Sequence, residues 1–150
     1  MGRTTILLVE DNPDDVDLTL HAFQKHNMAN DVIVAGDGAE ALDYLFGSGK
    51  YAGRDPNDTP ALILLDLQLP KIGGLDVLRK VREDERTKRV PVVIMTTSDE
   101  EDDIANGYDR GANSYLRKPV DFNEFMNSVK QLEMYWLVLN TPPPSQASAA

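Results

Sequence analysis

Four short stretches each end an apolar, strand-like run in a residue able to do chemistry. "LLVEDN" delivers Glu10 and Asp11, "LILLDLQLP" delivers Asp66, "VVIMTTS" reaches Thr96, and "SYLRKP" ends in Lys118. The segment Ala61 to Leu65 is apolar throughout and runs straight into Asp66. A carboxylate beside buried apolar surface is costly unless it is paired, solvated or metal-bound. If these ends converge, three carboxylates repel one another and a divalent cation relieves the repulsion. Hard oxygen ligands with room for water and a phosphate favour Mg²⁺ over zinc. Lys118 adds a mobile cation for a phosphoryl oxygen, and Thr96 a hydroxyl donor. An aspartate in such company is a carboxylate nucleophile suited to phosphoryl transfer. Taken singly, each residue has an ordinary reading. A strand-end aspartate is commonly a turn or cap residue, Glu10 and Asp11 favour the following helix N-terminus, and Thr96 and Lys118 are unremarked strand and surface residues. Their conjunction at the same end of four strands is what these readings explain poorly.

The elements that must position these residues follow from the pattern. Thr4 to Val9 (TTILLV) is β-branched and apolar over strand length. In "EDNPDD", Asn12 caps and Pro13 opens a helix carrying Val16, Leu20 and Phe23 at helical spacing. A second strand, Val32 to Ala35, precedes a helix with Leu42, Leu45 and Phe46, and "GSGKYAGRDPNDTP" reads as an extended loop before the strand Leu62 to Leu65. "KIGG" opens a third helix with Leu75, Leu78 and Val81 on one face, and "VPVVIMTT" is a fourth strand. Ser98 and Glu101 have capping-box spacing for a fourth helix, whose acidic first turn suits the helix dipole. "SYLRKP" is a short fifth strand, and a last helix from near Asp121 turns Phe122, Phe125, Met126, Val129 and Leu132 inward. Strict strand–helix alternation implies an α/β fold, a five-stranded parallel sheet with helices on both faces, right-handed crossovers and a doubly wound order. Functional sites of such sheets lie at the carboxyl ends of the strands, which is where Glu10, Asp11, Asp66, Thr96 and Lys118 fall.

Composition narrows the class. A chain of 150 residues fits one domain with a real core. It has no cysteine, hence neither disulfide nor thiolate metal site nor cysteine nucleophile. There is no signal-peptide pattern and no apolar run of membrane-spanning length, so a cytoplasmic protein with no membrane partner is expected. A formal net charge of −10 argues against a nucleic-acid surface. Residues 1–140 read as one domain, and "TPPPSQASAA" from 141 to 150 as a disordered tail, with no output domain expected.

At this point the sequence resembles the receiver domain of two-component response regulators, the chemotaxis-receiver-like phosphorelay module, from roughly Thr5 to Met134. The resemblance rests on "LLVEDN", "LILLDLQLP", "VVIMTTS" and "SYLRKP". It implies a flavodoxin-like fold with strand order 2-1-3-4-5. It implies that Asp66 accepts phosphate from a kinase phosphohistidine and that Glu10, Asp11 and Asp66, with the Gln68 backbone carbonyl, hold Mg²⁺, for which Mn²⁺ or Ca²⁺ could substitute. Thr96 and Lys118 match the hydroxyl and lysine that contact the phosphoryl group. Tyr115, three residues before the lysine, matches the aromatic switch residue that turns inward as the threonine moves. The Lys118–Pro119 bond is typically cis in that family. Thr97 is somewhat larger than the small residue often found there, and Gln68 and Ser98 occupy positions that tune phosphate lifetime. A narrower likeness, in "ALDYLFGSGKY", "DERTKRVPVVIMTTSDEEDDI", "GANSYLRKPVDF" and "EMYWLVLNTPP", points to the small stand-alone response regulators of phytochrome histidine kinases. A sensor histidine kinase of phytochrome type is therefore the expected partner. No turnover of an external substrate is expected, only loss of the protein's own phosphate.

Outside these motifs, Gly47 to Pro60 should lie on the face opposite Asp66, where Lys50, Tyr51 and Arg54 either meet a partner or belong to a solvated connector. "LEMYWLVLN" is apolar nearly all round: Leu132, Trp136 and Leu139 continue the inward stripe, while Met134, Tyr135, Leu137 and Val138 fall on other faces. Such a helix end is normally covered. A homodimer through Met134, Tyr135, Trp136, Leu137 and Val138 is expected, with the fourth-helix, fifth-strand and fifth-helix face as a possible extension; folding back on its own domain is the alternative. His21 and His26 are not spaced to share a ligand, and the methionines read as core or interface packing. Rival classes are weaker. A haloacid-dehalogenase-type hydrolase needs a second aspartate two residues after the first, where Gln68 stands. A flavin- or nucleotide-binding domain needs a glycine- or hydroxyl-rich loop where "VEDNPDD" is acidic. A non-enzymatic protein-binding pseudo-receiver is a third alternative.

Overall fold

The computed structural model describes residues 4–25, 30–96, 101–118 and 122–139. Strands β1 (Thr4–Val9), β2 (Asn30–Ala35), β3 (Leu62–Leu65), β4 (Val92–Thr96) and β5 (Ser114–Arg117) alternate with helices α1 (Pro13–Lys25), α2 (Gly38–Phe46), α3 (Gly74–Glu83), α4 (Glu101–Asp109) and α5 (Phe122–Glu133). The strands form one parallel sheet in the order β2-β1-β3-β4-β5. This is the doubly wound arrangement expected from the alternation.

Because a strand's side chains alternate in direction, each strand feeds two cores. Leu7, Val9, Ile63, Leu65 and Ile94 pack with Ala41 and Leu45 of α2 and Val77, Leu78 and Val81 of α3. Ile6, Leu8, Leu62, Leu64, Val93 and Met95 pack with Ala22 and Phe23 of α1 and Phe125, Met126 and Val129 of α5. Burial on both faces is why the central strands read as continuous apolar runs rather than alternating ones. The register places Val9 beside Leu65, Leu65 beside Ile94, and Thr96 beside Arg117, so the residues that follow these strands emerge at one edge.

Local signals work largely as expected. The Asn12 side chain accepts from the Asp14 and Asp15 amides at 2.9 and 3.3 Å, capping α1. Asp37 caps α2 by accepting from the Glu40 amide at 2.7 Å. A close approach explains Gly74 at the start of α3: a Cβ there would stand 2.3 Å from the Asp66 carbonyl oxygen. Only glycine lets α3 begin directly beneath the end of β3.

Three expectations are modified. β2 starts two residues before Val32, at Asn30, because its pairing with β1 extends to Thr4 opposite Asn30. β4 starts at Val92 rather than Val90; the Val90 carbonyl instead accepts from the Arg82 guanidinium at 2.7 Å, and that guanidinium also grips Gly111 O at 2.8 and 2.9 Å. The segment 47–60 is largely exposed, as a connector should be, but Lys50, Tyr51 and Arg54 are tied back onto α2. Gly47, in the left-handed region at φ 66°, turns the chain back along α2, and Gly49–Tyr51 forms one 3-10 turn. Tyr51 stacks edge-on against Tyr44 at 5.1 Å, and Arg54 lies 3.9 Å over the same ring and donates to Tyr44 O at 2.7 Å. Lys50 pairs with Glu40 at 2.6 Å, in the first turn of α2, so the segment climbs back from the edge opposite Asp66.

After α5 the winding widens to a π-helix, Met134–Leu139. Trp136 packs against the core between the sheet and helices α1 and α5, while Met134 and Tyr135 are 42% and 50% exposed. The fold-back and the outward-facing residues therefore coexist. The side chains of Leu132, Leu137, Val138 and Leu139, the Ser98 cap, the Lys118–Pro119 bond and the tail 141–150 lie outside the described residues. No helix among the described residues is long and apolar enough to cross a membrane.

Candidate functional site

Backbone bonds bring the strand ends together before any side chain acts. The Glu10 amide donates to Ala35 O at 3.0 Å, the Asp66 amide to Val9 O at 3.0 Å, and the Lys118 amide to Thr96 O at 2.6 Å. Each continues a ladder by one residue past the strand and so sets the height at which the side chain leaves the sheet. Glu10, Asp11, Asp66, Gln68 and Lys118 then line one open cavity, together with Asn12, Pro13 and Asp15. Thr96, fully buried, joins through Asp66: its hydroxyl donates to Asp66 Oδ1 at 3.1 Å.

The Lys118 ammonium holds the centre. It donates to Glu10 Oε1, to Asp15 Oδ2 at 2.9 Å and to Asp66 Oδ2 at 3.0 Å. Asp66 is further oriented by the Gln68 amide, which donates to Oδ1 at 3.0 Å, and Glu10 by the Asn12 amide at 3.2 Å. Glu10 and Lys118 are only 4% and 9% exposed, so these charges interact with little screening by water. Carboxylate oxygens of Glu10, Asp11 and Asp66 all lie within 4.8 Å of one another.

One ammonium does not balance this much negative charge. Burial pushes the Glu10 carboxyl up to about 7, the Lys118 hydrogen bond pulls it back, and the neighbouring Asp66 charge raises it again. Burial alone would lower the Lys118 ammonium. Its hydrogen bonds to Asp15 and Glu10 and the Asp66 charge outweigh that and hold it above its ordinary value. The cluster is thus short of positive charge and rich in hard oxygen donors, the donor set that suits Mg²⁺ or a similar divalent ion.

Of the residues singled out from sequence, Glu10, Asp11, Asp66, Gln68, Thr96 and Lys118 meet at this edge. Tyr115 does not line the cavity. It is half-buried on β5, packed against the α2–α3 core, and Gly107 of α4 makes room for its ring: a Cβ on Gly107 would sit 3.3 Å from it. Met134, Tyr135 and Trp136 lie on the extension of α5 and do not line it either. Sequence reasoning missed Asp15, which gave no functional signal within "EDNPDD". No local signal marks it, because Asp14 and Asp15 are adjacent acids in the first turn of α1 and only the folded chain brings Asp15 to Lys118.

The sign of the Glu10 shift yields a test on the metal-free protein. Its folded value, about 7, lies above the unfolded 4.5. The stability this group contributes is therefore complete below 4.5 and is lost as pH rises through about 7. Denaturant unfolding in a chelator should show the wild type losing stability between about pH 5 and about pH 8. Glu10→Gln should flatten that loss and be the more stable form at the alkaline end; equal pH profiles for the two proteins would refute a protonated Glu10.

Comparison with known proteins is consistent with this geometry. The sequence matches the response regulator receiver domain over residues 6–130. Response regulator Rcp1 of Synechocystis is 36% identical over 138 residues, covering 92% of each chain. The structure of its Mn²⁺-bound form superposes with a TM-score of 0.87 over 94% of this chain and 99% of that one. The phosphorylated cyanobacterial phytochrome response regulator RcpA is 39% identical, with a TM-score of 0.89 over 95% of this chain and all of that one. The bacteriophytochrome response regulator AtBRR is 48% identical, with a TM-score of 0.73 over 94% and 99%. With its sheet order, its acidic strand-end cluster and its whole core within the matched span, the chain belongs to the response regulator receiver-domain family.

Proposed function

We propose that this response regulator takes a phosphoryl group onto Asp66 from the phosphohistidine of a sensor histidine kinase of phytochrome type. The observation that carries the reading is the Asp66 carboxylate itself, buried yet open to a cavity and held on one oxygen by Thr96 and the Gln68 amide and on the other by Lys118. A carboxylate oxygen of Asp66 attacks phosphorus, the P–N bond breaks and its electron pair stays on the imidazole nitrogen; with the other ring nitrogen already protonated, the products are an acyl phosphate and a neutral kinase histidine. Mg²⁺ held by Glu10, Asp11, Asp66 and the Gln68 carbonyl supplies charge neutralisation for the transferred group. Lys118 keeps its ammonium against the oxygens that gain charge. Water attacking the same phosphorus returns the carboxylate and inorganic phosphate, so the protein limits its own signal without turning over another substrate. The likeness to RcpA and AtBRR supports the choice of kinase class, and the Mn²⁺-bound Rcp1 supports a divalent ion.

Phosphorylation gives Thr96 a better acceptor than Asp66 Oδ1. As the hydroxyl moves to a phosphoryl oxygen, Tyr115 turns into the space it leaves, with Gly107 clearing the way. This converts a local charge change into a new surface on α4 and β5. The exposed Met134 and Tyr135 form the centre of a homodimer contact on the neighbouring α5 extension, which the adjoining Trp136, Leu137 and Val138 extend along the sequence, because exposed apolar side chains of this size are normally covered.

Two experiments test this. Incubated with a labelled phytochrome kinase and Mg²⁺, the wild type should acquire label and Asp66→Asn should acquire none, with a chelator abolishing transfer; equal label on both proteins would refute Asp66 as acceptor. In light scattering the wild type should be a dimer and Tyr135→Asp should shift toward monomer. A wild type that stays monomeric at high concentration, with and without phosphate, would overturn the interface.

A further inference from the structure

Asp15 has no part in the proposed metal set, yet it makes one of the three ion pairs to the central ammonium. It sits in the first turn of α1, and its Oδ2 is 2.9 Å from Lys118 Nζ, slightly closer than Asp66 Oδ2 at 3.0 Å. Its side chain keeps 25% exposure, against 4% for Glu10 and 9% for Asp66. α1 holds it there through its cap: the Asp15 amide donates to Asn12 Oδ1 at 3.3 Å, and the Asp15 carbonyl accepts from the buried Thr19 hydroxyl at 2.8 Å. Asp15 thus reaches Lys118 from a rigid helix turn, across 103 residues of sequence.

The three partners of Lys118 do not have equal prospects. Glu10 and Asp66 belong to the carboxylate group whose oxygens lie within 4.8 Å of one another, and a divalent ion there competes with the ammonium for both. The ion also repels the ammonium. Asp15 is outside that group, so its negative charge remains available to the ammonium after the ion has bound. Without it, a lysine with four rotatable carbons has every reason to swing into solvent.

We propose that Asp15 is the positioning residue for Lys118: it keeps the ammonium beside Asp66 when a divalent ion claims Glu10, and so sets the rate at which Asp66 takes phosphate. Asp15 acts through Lys118 alone and touches neither phosphate nor metal. This rests on Asp66 being the acceptor.

The test combines a spectroscopic readout with a double-mutant cycle on the full chain. In ¹H–¹⁵N spectra, the slowly exchanging ammonium signal of Lys118 should persist in the wild type when Mg²⁺ is added. In Asp15→Asn it should broaden or vanish on the same addition. Loss of the signal in the wild type, or its persistence in the variant, overturns the proposal without reference to any activity. In the second arm, labelled phosphate is transferred from a small-molecule phosphoramidate at saturating Mg²⁺. Asp15→Asn and Asp15→Ala should lower the maximal rate roughly tenfold, the size of one hydrogen bond to a charged group, with Asp15→Glu recovering part of it. In a Lys118→Ala background the same substitutions should change nothing further. An undiminished effect in that background would show that Asp15 acts by another route, and a wild-type rate in Asp15→Ala would show that it does not act at all. Label on wild type that survives Asp66→Asn overturns the acceptor reading itself, a result distinct from both.

Discussion

The contact between one buried ammonium and the carboxylates around it is the constraint on which the site depends. Lys118 meets Glu10, Asp15 and Asp66 at once, and Asp11 adds a further negative charge at the rim. A buried salt bridge of this kind is poor value as a source of stability, since desolvation offsets much of the attraction. Here the balance is not even closed, because burial leaves Glu10 holding its proton up to about pH 7. The arrangement makes sense as a site prepared for more positive charge than the chain itself supplies. Under the proposed function, a divalent ion would replace the Glu10 proton and free part of Lys118, and a phosphoryl group on Asp66 would restore negative charge between them.

The sheet makes that arrangement possible at tolerable cost. Its central strands are buried on both faces, so each is nearly all apolar. The charged side chains of the site appear where the strands stop, and three single ladder bonds past the strand ends set the heights of Glu10, Asp66 and Lys118. Gly74 then allows α3 to start against the Asp66 carbonyl. On the opposite side of β4, Thr96 links the pocket to Tyr115 through the adjacent strand, which pairs Ile94 with Tyr115. The proposed acceptor and the proposed switch are therefore joined through paired strands of one sheet.

Much of this was legible in the sequence because it depends on local pattern and on strand order. The five strands and five helices follow from apolar run length and spacing, and from Asn12 and Pro13 at the start of α1. Glu10, Asp11, Asp66, Thr96 and Lys118 were identifiable because a parallel sheet delivers every strand end to one edge. What escaped depends on side-chain packing in three dimensions. Asp15 looked like one more acid in a helix N-terminus, since nothing in "NPDD" says which aspartate faces Lys118. The segment 47–60 is polar and largely exposed, yet within it Tyr51 and Arg54 pack on the ring of Tyr44, a contact that composition does not reveal. The change of winding at Met134 likewise follows from fitting Trp136 to the core, which a fixed 3.6-residue period does not anticipate.

The shortage of positive charge around Glu10 is read out by the protons that a metal ion displaces on binding. Mg²⁺ titrated into the protein in buffers of different ionisation enthalpy reports the protons displaced per ion. At about pH 6, below the folded value near 7 for Glu10, binding should release close to one proton, and at about pH 8.5 nearly none. Release should disappear in Glu10→Gln. Mg²⁺ binding that releases no proton at either pH would mean that Glu10 is already ionised in the metal-free protein, and the picture of a cluster waiting for charge would be wrong.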